Sequence, residues 1–322
     1  MTKVLLVGSC GFVGHNLWEK LKSYYEIRGV DCLIKSSSED NYHYLIEKSV
    51  INKDNFIRDT ANNWALMTEM KWAEYIVWAG CVDIYLSEQK PESSFQHLTD
   101  LMGFLLKLKQ FNESPKRFIF LSSTSVYGNW GSRTTGFTEG DYLNPMGVYA
   151  RNKQCSEILL RDFAEKFQIP ITVLRLTNIY SGNQANSYEN NGIVFKILDS
   201  YFQNKPLAIC TNNFTRDFVH IDDLVRIIKI LLIPRKPRSI YEIYNIGTDE
   251  QYRILDIAKR IGQILHKKKD ITFYENKADK IISRQVNSDK FNSEFKFRPE
   301  IKIFDEGLKL AIEEYKNRYN SQ

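Results

Sequence analysis

The chain has 322 residues, above the ~250–300 at which a single hydrophobic core stops growing, so one large domain with an appendage, or two domains, is expected. Hydrophobic residues at 43%, charged residues at 26% and aromatics at 13% lie near the globular average and exclude a disordered, collagen-like or disulfide-dense chain. The net charge of +5, from 44 basic and 39 acidic residues spread along the chain, offers no arm or stripe for nucleic acid, and no apolar run reaches the ~18 residues of a membrane span.

From the amino terminus, short apolar runs alternate with helix-period stretches, the pattern of an α/β doubly wound parallel sheet. Strands are predicted over residues 3–7, 26–30, 75–79, 117–122 and 172–176. Between them, residues 93–111 carry Phe95, Leu98, Leu101, Met102, Leu105 and Leu108 at three- and four-residue spacings. Residues 149–167 do the same with Ile158, Leu159, Phe163 and Phe167, so both stretches are predicted amphipathic helices. After Leu176 the alternation fails, and Ser, Asn, Gln and Gly crowd residues 181–191. A strand-like run at 241–246 and a helical one at 254–265 suggest a return to the first layer before a last excursion. Residues 1–178 with roughly 215–250 are expected to form one unit, and roughly 179–214 with 251–322 a smaller, mixed one. The Lys267-Lys268-Lys269 cluster falls where the helical run 254–265 ends and reads as a complement to its dipole.

Five cysteines, Cys10, Cys32, Cys81, Cys155 and Cys210, are widely spaced, odd in number, and show neither a Cys-x-x-Cys pair nor zinc spacing with the five histidines. Reduced thiols in the cytoplasm are expected, and no metal. The first residues enter a strand after one lysine without a long apolar leader, which argues against secretion.

Directly after the first strand comes Gly8-Ser9-Cys10-Gly11-Phe12-Val13-Gly14, leading into a helix pattern with Leu17 and Leu21 on one side. A strand-to-helix turn needs positive φ, a pyrophosphate must approach the backbone without a Cβ in the way, and helix–strand contact needs a small residue. Three glycines in that frame predict a dinucleotide site. The second strand leads into Asp31, where a carboxylate can accept from the adenosine ribose hydroxyls and would repel a 2′-phosphate, favouring NAD over NADP.

The strand at 117–122 leads into Ser122-Ser123-Thr124-Ser125-Val126-Tyr127-Gly128, hydroxyls at the carboxyl edge of a parallel sheet, where such folds bind ligands. Tyr149 and Lys153 then stand at i and i+4 on one helix face. A tyrosine is a poor base at neutral pH, and an adjacent ammonium favours its phenolate. A serine hydroxyl can hold the substrate oxygen and relay its proton.

With these residues in this order, the chain resembles the extended short-chain dehydrogenase/reductase family, in particular its nucleotide-sugar epimerase and dehydratase branch. The resemblance covers nearly the whole length. It rests on the glycine turn, Asp31, Trp78-Ala79-Gly80, Ser123, Tyr149 with Lys153, and Leu174-Arg175-Leu176-Thr177-Asn178-Ile179-Tyr180. It continues with Arg216-Asp217-Phe218-Val219-His220-Ile221-Asp222-Asp223 and Tyr244-Asn245-Ile246-Gly247.

The resemblance implies an enzyme with Ser123, Tyr149 and Lys153 as catalytic residues, and NAD held by Gly8, Gly11, Phe12, Val13, Gly14, Asp31, Ile57, Ala79, Gly80, Tyr149 and Lys153. It further implies a nucleotide-diphosphate sugar held by Ser123, Thr124, Tyr149, Asn178 and Arg216. Arg216 would clamp phosphates, with an ion pair to Asp217 or Asp222 as the alternative. Thr124 and Ser125 fall where the family's 4,6-dehydratases resemble one another in an Asp-Glu pair, which disfavours that reaction. A 4-epimerase is therefore expected. A 4-dehydrogenase or 4-keto-sugar reductase needs the same residues, and a catalytically silent dinucleotide-binding regulator is the remaining alternative. The family commonly packs the helices matching 93–111 and 149–167 into a homodimer, and supplies sugars for polysaccharides. Three departures stand out: Phe56 in place of an aspartate that contacts the adenine, Asp100 in place of an asparagine, and Tyr180-Ser181-Gly182 in place of Tyr-Gly-Pro.

Overall fold

The computed structural model describes residues 1–34, 36–111, 115–128, 135–185, 192–210, 215–274 and 285–319. The first half runs β1 (Lys3–Val7), α1 (Phe12–Leu21), β2 (Glu26–Asp31), α2 (Ser36–Glu47), β3 (Phe56–Arg58), α3 (Met67–Trp72), β4 (Tyr75–Trp78), α4 (Ile84–Gln89), α5 (Pro91–Leu108), β5 (Arg117–Ser123), α6 (Gly147–Phe167) and β6 (Ile171–Leu176). The second half runs β7 (Asn178–Tyr180), α7 (Ile193–Phe202), β8 (Leu207–Cys210), β9 (Thr215–Arg216), β10 (Phe218–His220), α8 (Ile221–Leu231), β11 (Tyr241–Ile246), β12 (Tyr252–Arg253), α9 (Ile254–Leu265), β13 (Ile271–Tyr274), α10 (Asp289–Phe295) and α11 (Leu308–Tyr319).

Seven parallel strands form the main sheet in the order β11-β6-β5-β4-β1-β2-β3. This is the expected doubly wound α/β fold. The order reverses between β1 and β4, and the crevice beyond their carboxyl ends is where such sheets take ligands. Both faces are covered, so the strands are mainly apolar. On one face Leu6, Val77, Ile119 and Leu174 meet Leu17 of α1 and Ile227 of α8. On the other Leu5, Ile76, Phe118 and Val173 meet Phe104 of α5 and Leu160 of α6. A separate core joins Phe195 of α7, Ile261 of α9 and Leu308, Ile312 and Tyr315 of α11.

Strand β11 does return to the sheet, pairing with β6 from Tyr241 to Ile246. Strand β3, only three residues long and half-buried, carried no readable alternation. Phe291 and Phe297, expected in the smaller unit, pack into the sheet-side core. The lysine cluster sits just past α9, and Lys269 Nζ donates to the Ser200 carbonyl at 2.7 Å, at the carboxyl end of α7.

Candidate active site at the carboxyl edge of the sheet

The turn after β1 is set by close backbone packing. Gly8 has φ +76°, and its N–H and that of Ser9 donate to the Val30 carbonyl at 2.8 and 3.2 Å. A Cβ on Gly8 would lie 2.3 Å from the Gly80 Cα, and one on Gly14 would lie 2.0 Å from the Gly8 oxygen. The chain's own geometry therefore requires these two glycines. Gly11 differs: a Cβ there would meet only the Gly8 oxygen, at 3.4 Å. What Gly11 leaves clear is the approach to the start of α1, where Gly11 caps without a side-chain bond. The first-turn N–H groups of Phe12, Val13 and Gly14 have no intrahelical acceptors there and suit an anion.

Asp31, 9% exposed, closes this corner. Its carboxylate accepts the Cys10 N–H and the Leu33 N–H, each at 2.9 Å. The bond to Cys10 ties this carboxylate directly to the glycine turn. Ile57 pairs with Val30 across β2 and β3, and the Ala79 N–H donates to the Val7 carbonyl at 2.8 Å. Phe56 turns into the core, its ring 5.0 Å from Tyr42 and 6.4 Å from Trp18. The turn, the bare helix start and the carboxylate at the end of β2 fit an NAD.

Ser123 ends β5, and its Oγ accepts the Ser125 N–H at 3.1 Å, capping a short 3-10 turn over Thr124–Tyr127. Helix α6 packs on that turn. Lys153, 3% exposed, donates to the Leu121 carbonyl at 2.8 Å, two residues before Ser123. Its Nζ also lies 5.9 Å from the centre of the Tyr149 ring. The lysine therefore fixes the rotation of α6 about β5, and Tyr149, one turn earlier and half-buried, comes to the same strand end as Ser123 and Thr124.

Beneath these residues lies a buried polar network that residue types alone did not reveal. Glu157 accepts from Arg175 Nη2 at 2.7 Å and from Ser122 Oγ at 2.5 Å. Arg175 Nη1 donates to the Tyr127 hydroxyl at 2.8 Å, and that hydroxyl donates to Asn245 Oδ1 at 2.7 Å. Burial pushes the Tyr127 hydroxyl up to about 12 against the pull of Arg175, so it stays a neutral donor. Two blocks of the sequence resemblance, those of Arg175 and Asn245, thus meet in one scaffold that joins β5, α6, β6 and β11.

Asn178 and Arg216 stand further along the same edge. The Asn178 backbone and side-chain amides donate to the Asp217 carbonyl at 3.2 and 2.8 Å, which commits part of the Asn178 amide within the chain. Arg216, partly buried on β9, donates to the Thr215 carbonyl at 2.8 Å. Its expected alternative partners are engaged elsewhere: Asp217 accepts the Thr248 N–H and hydroxyl, and Asp222 pairs with Lys20 at 2.6 Å. His220, fully buried, caps α8 by accepting the Asp222 N–H. Residues 186–191 and 211–214 lie outside the described residues.

Three comparisons bear on this arrangement. The profile of the NAD dependent epimerase/dehydratase family matches residues 4–247. Among curated proteins, the chain is 24% identical to Protein CapI of Staphylococcus aureus, over 98% of this chain and 99% of that one. It is 27% identical to the dTDP-D-glucose 4,6-dehydratase of Bos taurus over 64% of this chain, a match that spans 57% of the bovine protein. Among solved structures, UDP-glucuronic acid 4-epimerase from Bacillus cereus, in complex with UDP-glucuronic acid and NAD, superposes with a TM-score of 0.87 at 24% identity, covering 99% of this chain and all of the other.

Proposed function

Because the chain belongs to the NAD dependent epimerase/dehydratase family, we propose that it is a 4-epimerase, oxidising and re-reducing a nucleotide-diphosphate sugar at C4. The observation that carries this reading is the Lys153 bond to the Leu121 carbonyl, which brings Tyr149 to the strand end that Ser123 and Thr124 occupy.

Bound NAD supplies the hydride acceptor and donor. Tyr149 takes the proton from the C4 hydroxyl and later returns it, and Lys153 stabilises the phenolate through its charge. Ser123, held in place by the Ser125 N–H, hydrogen-bonds the same sugar oxygen. Thr124 lines the sugar, and Asn178 and Arg216 hold the diphosphate, with the planar guanidinium suited to several phosphate oxygens. Water elimination needs an added acid and base beside C5 and C6. Thr124 and Ser125, 5% and 3% exposed, offer only hydroxyls at the positions in question.

The relatives support the substrate class: the Bacillus cereus structure holds UDP-glucuronic acid, and the bovine relative is a dTDP-D-glucose enzyme. One-way hydride transfer, oxidation as in a 4-dehydrogenase or reduction as in a 4-keto-sugar reductase, is the second reading, since the same three side chains perform it. Incubation with a panel of UDP-, GDP-, CDP- and dTDP-sugars, with products identified by NMR, separates the two.

Residues 1–178 with roughly 215–250 form the NAD-binding unit in this reading, joined by Phe291 and Phe297. The separate core of α7, α9 and α11 supports a substrate unit built from the remainder. A homodimer is part of the proposal. Leu101, Phe104, Leu160 and Phe163 are used by the sheet, yet Phe95, Met102, Leu106 and Ile158 stay 63%, 46%, 46% and 49% exposed on α5 and α6. An apolar groove between them is lined by Leu98, Met102, Cys155, Ile158 and Leu159. A cytoplasmic site of action is supported by five cysteines that are all free thiols. Among the described residues no helix is long and apolar enough to cross a membrane.

A further inference from the structure

The Cys10 peptide lies between the first two glycines of the dinucleotide turn and is held from both sides. Its N–H donates to Asp31 Oδ2, and its carbonyl accepts from Asn41 Nδ2, each at 2.9 Å. Asn41, 2% exposed, is in turn held by the far end of the chain: Arg318 Nη2 on α11 donates to Asn41 Oδ1 at 2.7 Å.

The other arm of the same guanidinium reaches α1. Arg318 Nη1 donates to Asn183 Oδ1 at 2.7 Å and faces His15 Nε2 at 3.3 Å. Asn183 exchanges amide bonds with Asn16, its carbonyl accepting from Asn16 Nδ2 at 3.0 Å. His15 Nδ1 bonds the Gly11 carbonyl at 3.0 Å, which makes Nδ1 the donor and Nε2 the acceptor for Asn16 and Arg318. One fork therefore grips both ends of the turn-and-helix unit, Cys10 through Asn41 and the first turns of α1 through Asn183 and His15. The guanidinium plane rests on Tyr44, 4.2 Å from the ring centre.

Helix α11 is anchored one turn earlier. Glu314 Oε2 accepts the Ser181 hydroxyl at 2.6 Å and the Gly182 N–H at 3.0 Å. A Cβ on Gly182 would lie 1.8 Å from the Ala311 carbonyl oxygen, so α11 sits directly on this backbone. The Gly-Pro expected here from the resemblance has neither that hydroxyl nor that N–H. Both Glu314 bonds thus depend on the departure found in this chain.

Resting on the NAD-dependent reading above, we propose that Arg318 is a positioning residue for the dinucleotide turn, fixing the Cys10 peptide and the start of α1 before the cofactor arrives. A turn shaped during folding need not be ordered on binding, and affinity rises accordingly.

The test is an equilibrium titration with NADH, read by nicotinamide fluorescence, beside thermal unfolding of the same samples. Arg318→Met and Arg318→Lys are expected to bind NADH about 10-fold more weakly, because a single ammonium does not span Asn41 and Asn183. Asn41→Leu is expected to lose affinity as well, and the Asn41→Leu/Arg318→Met double variant clearly less than the sum of the two, since both cut the chain of contacts to Cys10. Arg318→Lys and Asn41→Leu carry the test should Arg318→Met fail to fold. Unchanged NADH affinity with a lower Tm would overturn the proposal and leave Arg318 a stabilising staple. Full recovery in Arg318→Lys would also overturn it, in favour of plain charge. A wild-type chain that takes up no NADH would overturn the cofactor reading itself, and the positioning role with it.

Discussion

Arg175 and Glu157 face each other at 2.7 Å with both side chains 2% exposed, inside the junction of β6 and α6. Replacing Arg175 with Met leaves the Glu157 carboxylate buried without its counter-ion, a change that typically costs about 3–5 kcal/mol. A denaturant titration of Arg175→Met should show that loss. A loss below about 1 kcal/mol would mean that the network beneath the site relaxes easily.

The three glycines of the turn should separate by experiment. Gly14→Ala forces a Cβ against the Gly8 oxygen and is expected to lower Tm, whereas Gly11→Ala meets only an ordinary contact and should leave Tm near wild type. If the space before Gly11 belongs to the dinucleotide, Gly11→Ala instead weakens NADH binding, by about 10-fold for ~1.4 kcal/mol of overpacking. Equal Tm losses in the two variants would contradict this division of roles.

Stability should fall in acid through Glu314. Burial works to raise its carboxyl, but the His220 ring 3.6 Å away, Lys20 and the Ser181 hydroxyl outweigh it and hold the group down to about 2. A carboxyl lower in the folded state than its ordinary 4.5 stabilises the fold above that value, and the contribution disappears as pH falls towards 2. The span corresponds to about 3 kcal/mol. Chemical denaturation at stepped pH should show a flatter acid limb for Glu314→Gln. Asp217 acts with the opposite sign: burial pushes it up to about 7 despite the Thr248 bonds, so its contribution is lost as pH rises from 3.8 to 7.

For the assembly, sedimentation velocity at micromolar concentration is expected to give a dimer that dissociates in Met102→Glu/Ile158→Glu. A wild-type monomer would end the dimer proposal.

How much of this could be read from the sequence depends on range. The glycine turn, Asp31, Ser123 and the Tyr149–Lys153 pair were legible because each is a local pattern set on a strand or helix of regular period. Helix α2 was not, because the polar run Ser-Ser-Ser-Glu-Asp-Asn at its start shows no apolar stripe, although it carries Asn41. Arg175, Tyr127 and Asn245 were visible only as letters in motifs. Their structural role arises from partners 18 to 118 positions apart, which no spacing rule connects. Arg318 lies 277 positions from Asn41, and nothing in its own neighbourhood marks it.

Tyr149 is the residue on which the proposed chemistry turns. Tyr149→Phe removes one hydroxyl and is expected to lower kcat by about 10²–10⁴-fold, the usual share of a positioned base, with Tm retained. Turnover near the wild-type rate would remove Tyr149 from the mechanism.

The most direct measurement is NMR of the product formed from each nucleotide sugar, with the NADH absorbance followed in the same tube. The C4 epimer, formed without net change in NADH, is the expected result. A keto-sugar accumulating with stoichiometric NADH, or a 4-keto-6-deoxy sugar formed by loss of water, would contradict the epimerase reading.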